Sequence, residues 1–545
     1  MQIEIVKIKS FRNLKNFEIN LDKNETISVI IGQNASGKSN FIEAIVLIFK
    51  YLDFDFKKQI DSELSLGFEI NYRCRSNEIQ VQYGSNGKKK WNILINNSVV
   101  SQDYFINNKD IFLPRYILAY YSGLGNSNRL EEHFEDNKKK FAVSVINTSS
   151  ANLPEYPRLQ YAELIHSQFS LFSFFIDDDP KLKEFLKNNL FIENLQSSLL
   201  PIKEPEWAKT DAATKNDRFW GAKGVVRSLL DHLYKNVAIA PLKDTVINSN
   251  SSLWKKEKKK FDVIYLYFSN FDKIKEFVKK MEWSSFDFFH ILNTANVSRL
   301  FFDEKIRIRV KKKYANRISF KELSEGEQQL LTVLGLMRFT SGEETLFLLD
   351  EPDTHLNPYW KWKYLDFIRE IVFNNEDNGK TVIESSQVIM SSHDPLTIGS
   401  LRKEAVRIFR TDDETGDIKG KIPQEDPKGM GVAGILTEIF RLKTTLDQKT
   451  QKQVDRRRNL ESKKFNQNNL TEKEERQLKE LNESLDNLGF SRFNRDPLYQ
   501  KFQAEFEKQL GNKPLNYEPL TEEEEKVQNN NIEQILKKLL EEKGI

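Results

Sequence analysis

The segment GQNASGKSN, from Gly32 to Asn40, constrains the fold more than any other stretch of the chain. It fits the pattern G-x-x-x-x-G-K-[ST], in which glycines let backbone N–H groups turn inward onto phosphate oxygens. On that reading Gly32, Asn34, Ala35, Ser36, Gly37 and Asn40 line a nucleotide cradle. Lys38 reaches the β- and γ-phosphates, and Ser39 holds Mg²⁺. The flanks agree. ETISVII, at 25–31, reads as a buried strand that feeds into the loop. KSNFIEAIVLIFK, at 38–50, reads as a buried helix whose N-terminal dipole adds to the anion site. ATP and Mg²⁺ are the cofactors this pattern calls for.

Composition bounds the partners. The chain has 545 residues, 39% hydrophobic and 30% charged, which suits a globular protein with ample core. A net charge of +3 does not indicate a globally basic nucleic-acid binder, although local patches remain open. The single cysteine, Cys74, rules out an internal disulfide framework or a Cys-based zinc site and points to a reducing, cytoplasmic setting. MQIEIVKIKSF at the start alternates like a strand rather than a signal peptide, and no stretch approaches the apolar length of a membrane span.

Three further motifs lie far downstream. TLFLLD, at 345–350, reads as a buried parallel strand ending in acid. Asp350 there can hold Mg²⁺ through water, and Glu351 can act on the attacking water as a general base or by orienting it. Ser324, Glu325, Gly326 and Glu327 open a helix and form a second phosphate site at a helix N-terminus. One γ-phosphate does not need two helix N-termini from one subunit, so this site is expected to cap the nucleotide of a partner subunit. His393, after the strand QVIMSS, is placed to touch the γ-phosphate.

Phosphate loop, LSEGE, LLDEP and SSHD, in that order, resemble the ABC-type ATPase head of the SMC, RecF and OLD-like group. KIKSFRNLKNFEI is similar to that group's N-terminal strand. The resemblance implies an α/β ATPase head with an antiparallel lobe, and it implies that Arg12 lies near the nucleotide. It also implies that Asp353 and His355 belong to a D-loop touching the opposite subunit of a head-to-tail dimer with two composite ATP sites. Tyr121-Ser122-Gly123 stands at the Q-loop position without the usual glutamine. Glu325 in place of a glycine argues against a transporter ATPase.

The expected organisation is an N-terminal ATPase lobe at 1–150, a helical insertion at 151–300, a second ATPase lobe at 301–425, and a helical, partner-docking C-terminal region at 426–545. Helices are expected over 158–175 and 182–199, and KKEKKK at 255–260 reads as a solvated helix face. Residues 445–489 read as a coiled-coil arm or a packed helix pair, with Thr471 and Glu474 as a capping box. TEEEEKVQNNN reads as an acidic linker before a last helix. Lys305, Arg307, Arg309 and Lys311 to Lys313 are the best candidate for DNA contact, or else a solvated strand edge.

GMGVAGILTEIF, KTTLDQKTQKQVDRRRNLE and LTEKEERQLKELNESLDNLGFS resemble the PtuA ATPases of Septu and some retron anti-phage systems. That resemblance implies a sensor that restrains a small HNH nuclease resembling PtuB. In the retron branch it also implies a reverse transcriptase and its RNA–DNA product. The alternative is a RecF-like or break-repair ATPase that binds DNA. An OLD-like nuclease ranks lower, because the glutamate and DxD pair of a Toprim domain are not visible after Pro423.

Overall fold

The computed structural model describes residues 1–54, 56, 60, 64–84, 90–123, 127–150, 152–177, 179–208, 214, 216–251, 256–269, 271–313, 315–340, 344–373, 386–412, 415–467, 470–488, 502, 505–506 and 522–541. Its strands, in chain order, are β1 Gln2–Phe11, β2 Leu14–Asn20, β3 Ile27–Gly32, β4 Phe68–Cys74, β5 Asn77–Tyr83, β6 Trp91–Ile95, β7 Ser98–Val100, β8 Tyr116–Tyr121, β9 Leu159–Tyr161, β10 Ile192–Lys203, β11 Ile239–Ser251, β12 Lys256–Phe268, β13 Arg307–Lys312, β14 Ala315–Ser319, β15 Thr345–Asp350, β16 Gln387–Ser391, β17 Val406–Thr411 and β18 Ile418–Lys421.

The all-apolar runs become strands covered on both faces, as parallel sheets require. Every residue of β3, β15 and β16 is buried. They sit in a seven-stranded sheet of order β18-β17-β3-β16-β15-β8-β9. β16 pairs in parallel with β3 on one side and β15 on the other, so the strand ending in Ser391 lies between the phosphate-loop strand and the strand ending in Asp350. A second sheet, β2-β1-β4-β5-β6-β7, is antiparallel and alternates buried with half-exposed residues. Its tight turns put Arg75 and Ser76, then Asn96 and Asn97, at positive φ, as two-residue hairpins prefer. Ser85, Asn86 and Gly87, whose residue types read as a hairpin turn, lie outside the described residues.

The helix Lys38–Asp53 is apolar almost all round and joins one core with both sheets: Ile3, Ile70 and Val81 from one, Ile30, Leu346 and Ile389 from the other. This burial orients the helix that carries the phosphate loop.

The insertion differs from the helical lobe expected. It contains helices, among them Ile165–Ile176, Pro180–Asn188 and Ser285–Val297, but also most of a five-stranded sheet of order β11-β12-β10-β13-β14. The helix expected over 182–199 ends at Asn188. Phe191 at φ 56 turns the chain, and 192–203 pairs antiparallel with β12 and β13. Residues 158–161 likewise pair with β8 before the helix begins at Ile165. The lysine run at 256–260 opens β12 rather than a helix, and Lys255 lies outside the described residues. Cross-strand pairing decided these segments, and helical spacing of Phe and Leu could not reveal it. The sheet also crosses the boundary expected at 300.

Residues Pro423–Ile545, with the turn Thr411–Gly416, form a separate compact unit. Helices Gln448–Gln467 and Glu472–Asn487 are an antiparallel pair. Val454, Leu460, Leu478 and Leu485 are buried, and Lys463 donates to Glu474 at 2.7 Å. Thr471 and Glu474 form a capping box. The acidic stretch expected as a linker is instead the first half of helix Glu522–Glu541. Asn468, Asn469 and Gly489 lie outside the described residues.

One buried histidine gives this head a measurable pH dependence. His290 packs edge-on against Tyr156 at 4.7 Å and stacks near Phe286 at 5.9 Å. Burial pushes its pKa down from 6.5 to about 4, so the fold holds the neutral imidazole. Between those values the unfolded chain binds a proton that the folded chain does not. Its contribution is therefore present above the unfolded pKa and lost as pH falls toward the folded one. From pH 7 to pH 5 the loss is about 2 kcal/mol. His290→Phe is expected to flatten the fall in denaturation free energy over that interval by this amount. An unchanged slope in urea titrations at the two pH values would contradict it.

Candidate nucleotide site

The loop after β3 holds a shape that larger residues could not adopt. A Cβ on Gly32 would lie 2.7 Å from the Phe409 carbonyl oxygen and 2.6 Å from Ser36 Oγ. Gly37 has φ 90, and a Cβ there would meet Leu14 at 2.7 Å. Ala35 is also left-handed, at φ 65. Ser36 Oγ is buried without a hydrogen-bond partner inside this turn. Lys38 is 5% exposed and donates to the carbonyls of Gly32 at 3.0 Å and Gln33 at 3.2 Å. Burial lowers its pKa, and Glu351 and Asp350 oppose that. Left-handed backbone, an unpaired buried hydroxyl and a buried ammonium together fit a triphosphate.

Ser39 and Asp350 come together, as expected for two Mg²⁺ ligands. Ser39 and Ser391 both hydrogen-bond the Asp350 carboxylate, opposing the burial that raises its pKa. The Ser391 hydroxyl also accepts from the Glu351 N–H at 3.0 Å. Glu351 sits at φ 54, a left-handed backbone that a non-glycine residue seldom adopts. Its carboxylate meets His393 Nε2 at 2.9 Å, and this hydrogen bond is the main reason its pKa falls below the ordinary range. Mg²⁺ held by Ser39 and Asp350 would neutralise phosphate charge. Glu351 and His393 lie at the same sheet edge, where an acid and an imidazole can orient a water and contact the terminal phosphate.

Other sequence candidates have different partners. Arg12 Nε and Nη2 donate to Glu43, at 3.1 and 2.7 Å, on the helix that follows the loop, and His133 meets the same buried carboxylate at 2.9 Å. Asn13, which sequence reasoning passed over, reaches the loop itself. It donates to the Ala35 carbonyl at 2.7 Å and accepts from Asn40 at 2.6 Å. Only the tight turn between β1 and β2 brings it there.

Ser324 and Glu327 form a reciprocal cap at the start of helix Glu325–Thr340. Glu327 accepts from the Ser324 N–H at 2.8 Å and its hydroxyl at 3.0 Å, and it also pairs with Lys312. Glu327 is thus an internal anchor rather than a group turned outward. A Cβ on Gly326 would lie 2.7 Å from the His355 carbonyl oxygen, so the signature helix is seated directly on the D-loop. His355 Nδ1 lies 3.3 Å from the exposed Glu325 carboxylate. Asp353 is turned inward. It is 3% exposed and accepts from Ser392 and Thr397, each at 2.6 Å. Thr354, His355 and Asn357 are the exposed residues of that loop. At the Q-loop position, Ser122 donates to Thr354 Oγ1 at 3.2 Å.

A phosphate loop with Ser39, Asp350 and Glu351 gathered at one sheet edge is the arrangement of a P-loop ATPase, and the LSEGE helix is that of the ABC type. The chain belongs to the AAA ATPase domain family, whose pattern matches residues 1–398. It is 32% identical over 123 residues to the DNA replication and repair protein RecF of Clostridium tetani, covering 21% of this chain and 32% of that one. With RecF of Acetivibrio thermocellus it shares 37% over 98 residues, 16% and 25% of the two chains. The chain thus spans about a third or less of the length of the curated relatives it matches. Among solved structures it is similar to an SMC head bound to the C-winged helix domain of ScpA, at 12% identity and a TM-score of 0.33, covering 78% of this chain and 98% of that one. The SMC head domain from Thermotoga maritima gives 11% and 0.31, over 77% and 99%. The fold itself rests on the sheet order and loop geometry above. No helix among the described residues is long and apolar enough to cross a membrane.

Lys38→Ala removes the ammonium from the cradle and is expected to weaken ATP binding by about 2–3 kcal/mol, the worth of a hydrogen bond to a charged group. Glu351→Gln is expected to keep ATP binding and to slow hydrolysis. Calorimetric titration with ATP and a phosphate-release assay read the two effects separately. Unchanged ATP affinity in Lys38→Ala would overturn the site.

Proposed function

We propose that the chain is an ATP-gated dimerising head that senses infection and restrains an effector nuclease in anti-phage defence. The observation that carries the gating part is the seat of the signature helix. Ser324 and Glu327 are hydrogen-bonded to each other, Glu327 pairs with Lys312, and Gly326 packs against the His355 loop, none of which belongs to the cradle of Lys38 and Ser39. The helix N-terminus therefore fits the γ-phosphate of a second copy, giving two composite sites per head-to-tail pair.

The effector part is supported by the C-terminal likeness to PtuA ATPases and by the compact unit Pro423–Ile545, which supplies a docking module separate from the head. The partner implied is a small HNH nuclease resembling PtuB, with a reverse transcriptase and RNA–DNA hybrid added in retron settings, all cytoplasmic. On this reading the chain hydrolyses ATP and does not itself cut nucleic acid. A second reading, a RecF-like ATPase acting on DNA, is favoured by the 32% and 37% identical segments shared with RecF proteins.

Ser324→Arg places a bulky cation where the partner's γ-phosphate would lie. It is expected to abolish the ATP-dependent rise in mass seen by light scattering, while loss of the cap costs about 1 kcal/mol and leaves the head folded. A monomer that hydrolyses ATP at the wild-type rate would overturn the composite site. Deleting residues 430–545 is expected to abolish capture of a co-expressed PtuB-like HNH nuclease in a pull-down and to spare ATP binding. Retention of the nuclease by the truncated head would overturn the docking assignment.

A further inference from the structure

The turn between β1 and β2 lies against the outside of the phosphate loop. Phe11 pairs with Leu14, so Arg12 and Asn13 alone reverse the chain. Arg12 takes the reversal at φ 53, a left-handed backbone that a non-glycine residue seldom adopts. Two contacts fix the turn in place. Leu14 is fully buried and packs beside Gly37, where a Cβ would meet it at 2.7 Å and Asn13 Oδ1 at 3.1 Å. Arg12 pairs with Glu43 on the helix that follows the loop.

Asn13 bridges the loop from that outer side. Its Nδ2 donates to the Ala35 carbonyl at 2.7 Å, and its Oδ1 accepts from Asn40 Nδ2 at 2.6 Å. The bond from Asn40 decides which end of the amide faces Ala35, because only the nitrogen can donate to a carbonyl. In a trans peptide the carbonyl and the following N–H point to opposite sides. With the Ala35 carbonyl held outward, the Ser36 N–H points inward and meets the Gln33 carbonyl at 3.2 Å. The Lys38 ammonium donates to the same Gln33 carbonyl. The Ser36 N–H and the Lys38 ammonium thus converge on one side of the loop, opposite Asn13. Ala35 stands at φ 65, which an L-residue adopts reluctantly by itself, so a hold on its carbonyl favours the shape the cradle requires.

We propose, on the nucleotide site of Lys38 and Ser39 and independently of the dimer and nuclease readings, that Asn13 is a positioning residue for ATP binding: oriented by Asn40, it fixes the Ala35–Ser36 peptide with its N–H toward the phosphates. An exposed amide beside a nucleotide could instead touch the nucleotide directly. Here its donor atom is engaged by the loop and its acceptor atom by Asn40, 22 and 27 residues away in sequence.

The test is steady-state ATPase kinetics with calorimetric titration of ATP, on the full chain. Asn13→Leu keeps the bulk of the side chain and removes both hydrogen bonds. It is expected to raise the KM and Kd for ATP about fivefold to tenfold, the effect of one intramolecular hydrogen bond, with kcat at saturating ATP unchanged. Asn13→Gln keeps donor and acceptor and is expected to bind ATP more tightly than Asn13→Leu. Asn40→Ala is expected to weaken binding in the wild-type background and to add little in Asn13→Leu, where no amide remains to be oriented. Asn13 is exposed, so these changes leave the core untouched, and melting curves establish that each variant is folded. Wild-type ATP affinity in Asn13→Leu, with affinity lost in Lys38→Ala, would overturn the role of Asn13 and leave the site standing. Unchanged affinity in both variants would overturn the site as well. A fall in kcat at unchanged KM, Asn13→Gln no better than Asn13→Leu, or additive losses in the double variant would also overturn the positioning role.

Discussion

The hydroxyl of Ser391 holds the ATPase centre together. It donates to Asp350 and accepts from the N–H of Glu351, so one side chain on the middle strand fixes both acids at the end of the neighbouring strand. The arrangement depends on strand order. β16 lies between β3 and β15, with Ser391 in register with Asp350 on one side and Ile30 on the other. Any other order would move the magnesium acid away from Ser39. Burial weakens the acidity of Asp350, and the two serine hydroxyls offset part of that, leaving a carboxylate that gains most from a cation arriving beside it. The left-handed backbone at Glu351 follows from the same contact: the N–H is held toward Ser391 while the carboxylate turns to His393.

Around this centre the polar groups of the head fall into two kinds. Lys38, Ser36 and His393 face the cradle or the solvent beside it. Asp353, Glu327 and Glu43 are turned inward, each held by at least two donors, all on segments distant in sequence except Ser324 at the cap beside Glu327. The inward acids make a rigid frame, because a buried carboxylate that loses a partner leaves the full desolvation penalty behind. The antiparallel lobe, the phosphate-loop helix and the D-loop are therefore locked by polar networks as well as by the shared apolar core.

Much of the nucleotide site was legible in the sequence, because phosphate loops and acid-ended strands are local patterns. Gly32, Lys38, Ser39, Asp350, Glu351 and His393 could be named from spacing alone, and the structure brings them to one sheet edge. What spacing could not supply was the choice of partner among polar residues. Asn13 touches the loop and Arg12, its neighbour, braces Glu43, a difference set by the turn between β1 and β2. Asp353 and Glu327 read as outward-facing groups of their motifs and are inward anchors. The insertion was harder still. Residues 192–203 have no clean alternation because pairing with β13 shifts register between Ile192 and Asn194 and again between Leu195 and Ser197, so their strand character exists only once β12 and β13 are in place.

The seat of the signature helix carries a consequence for a pair of heads. Thr354 is bonded to the Glu351 carbonyl at 2.9 Å, and the next residue, His355, presses its carbonyl against Gly326. A rearrangement at Glu351 would thus be felt, through a single turn of backbone, at the N-terminal end of the signature helix. In the head-to-tail pair proposed above, that end caps the nucleotide of the other head, so the state of one cradle would bear on the closure of its neighbour.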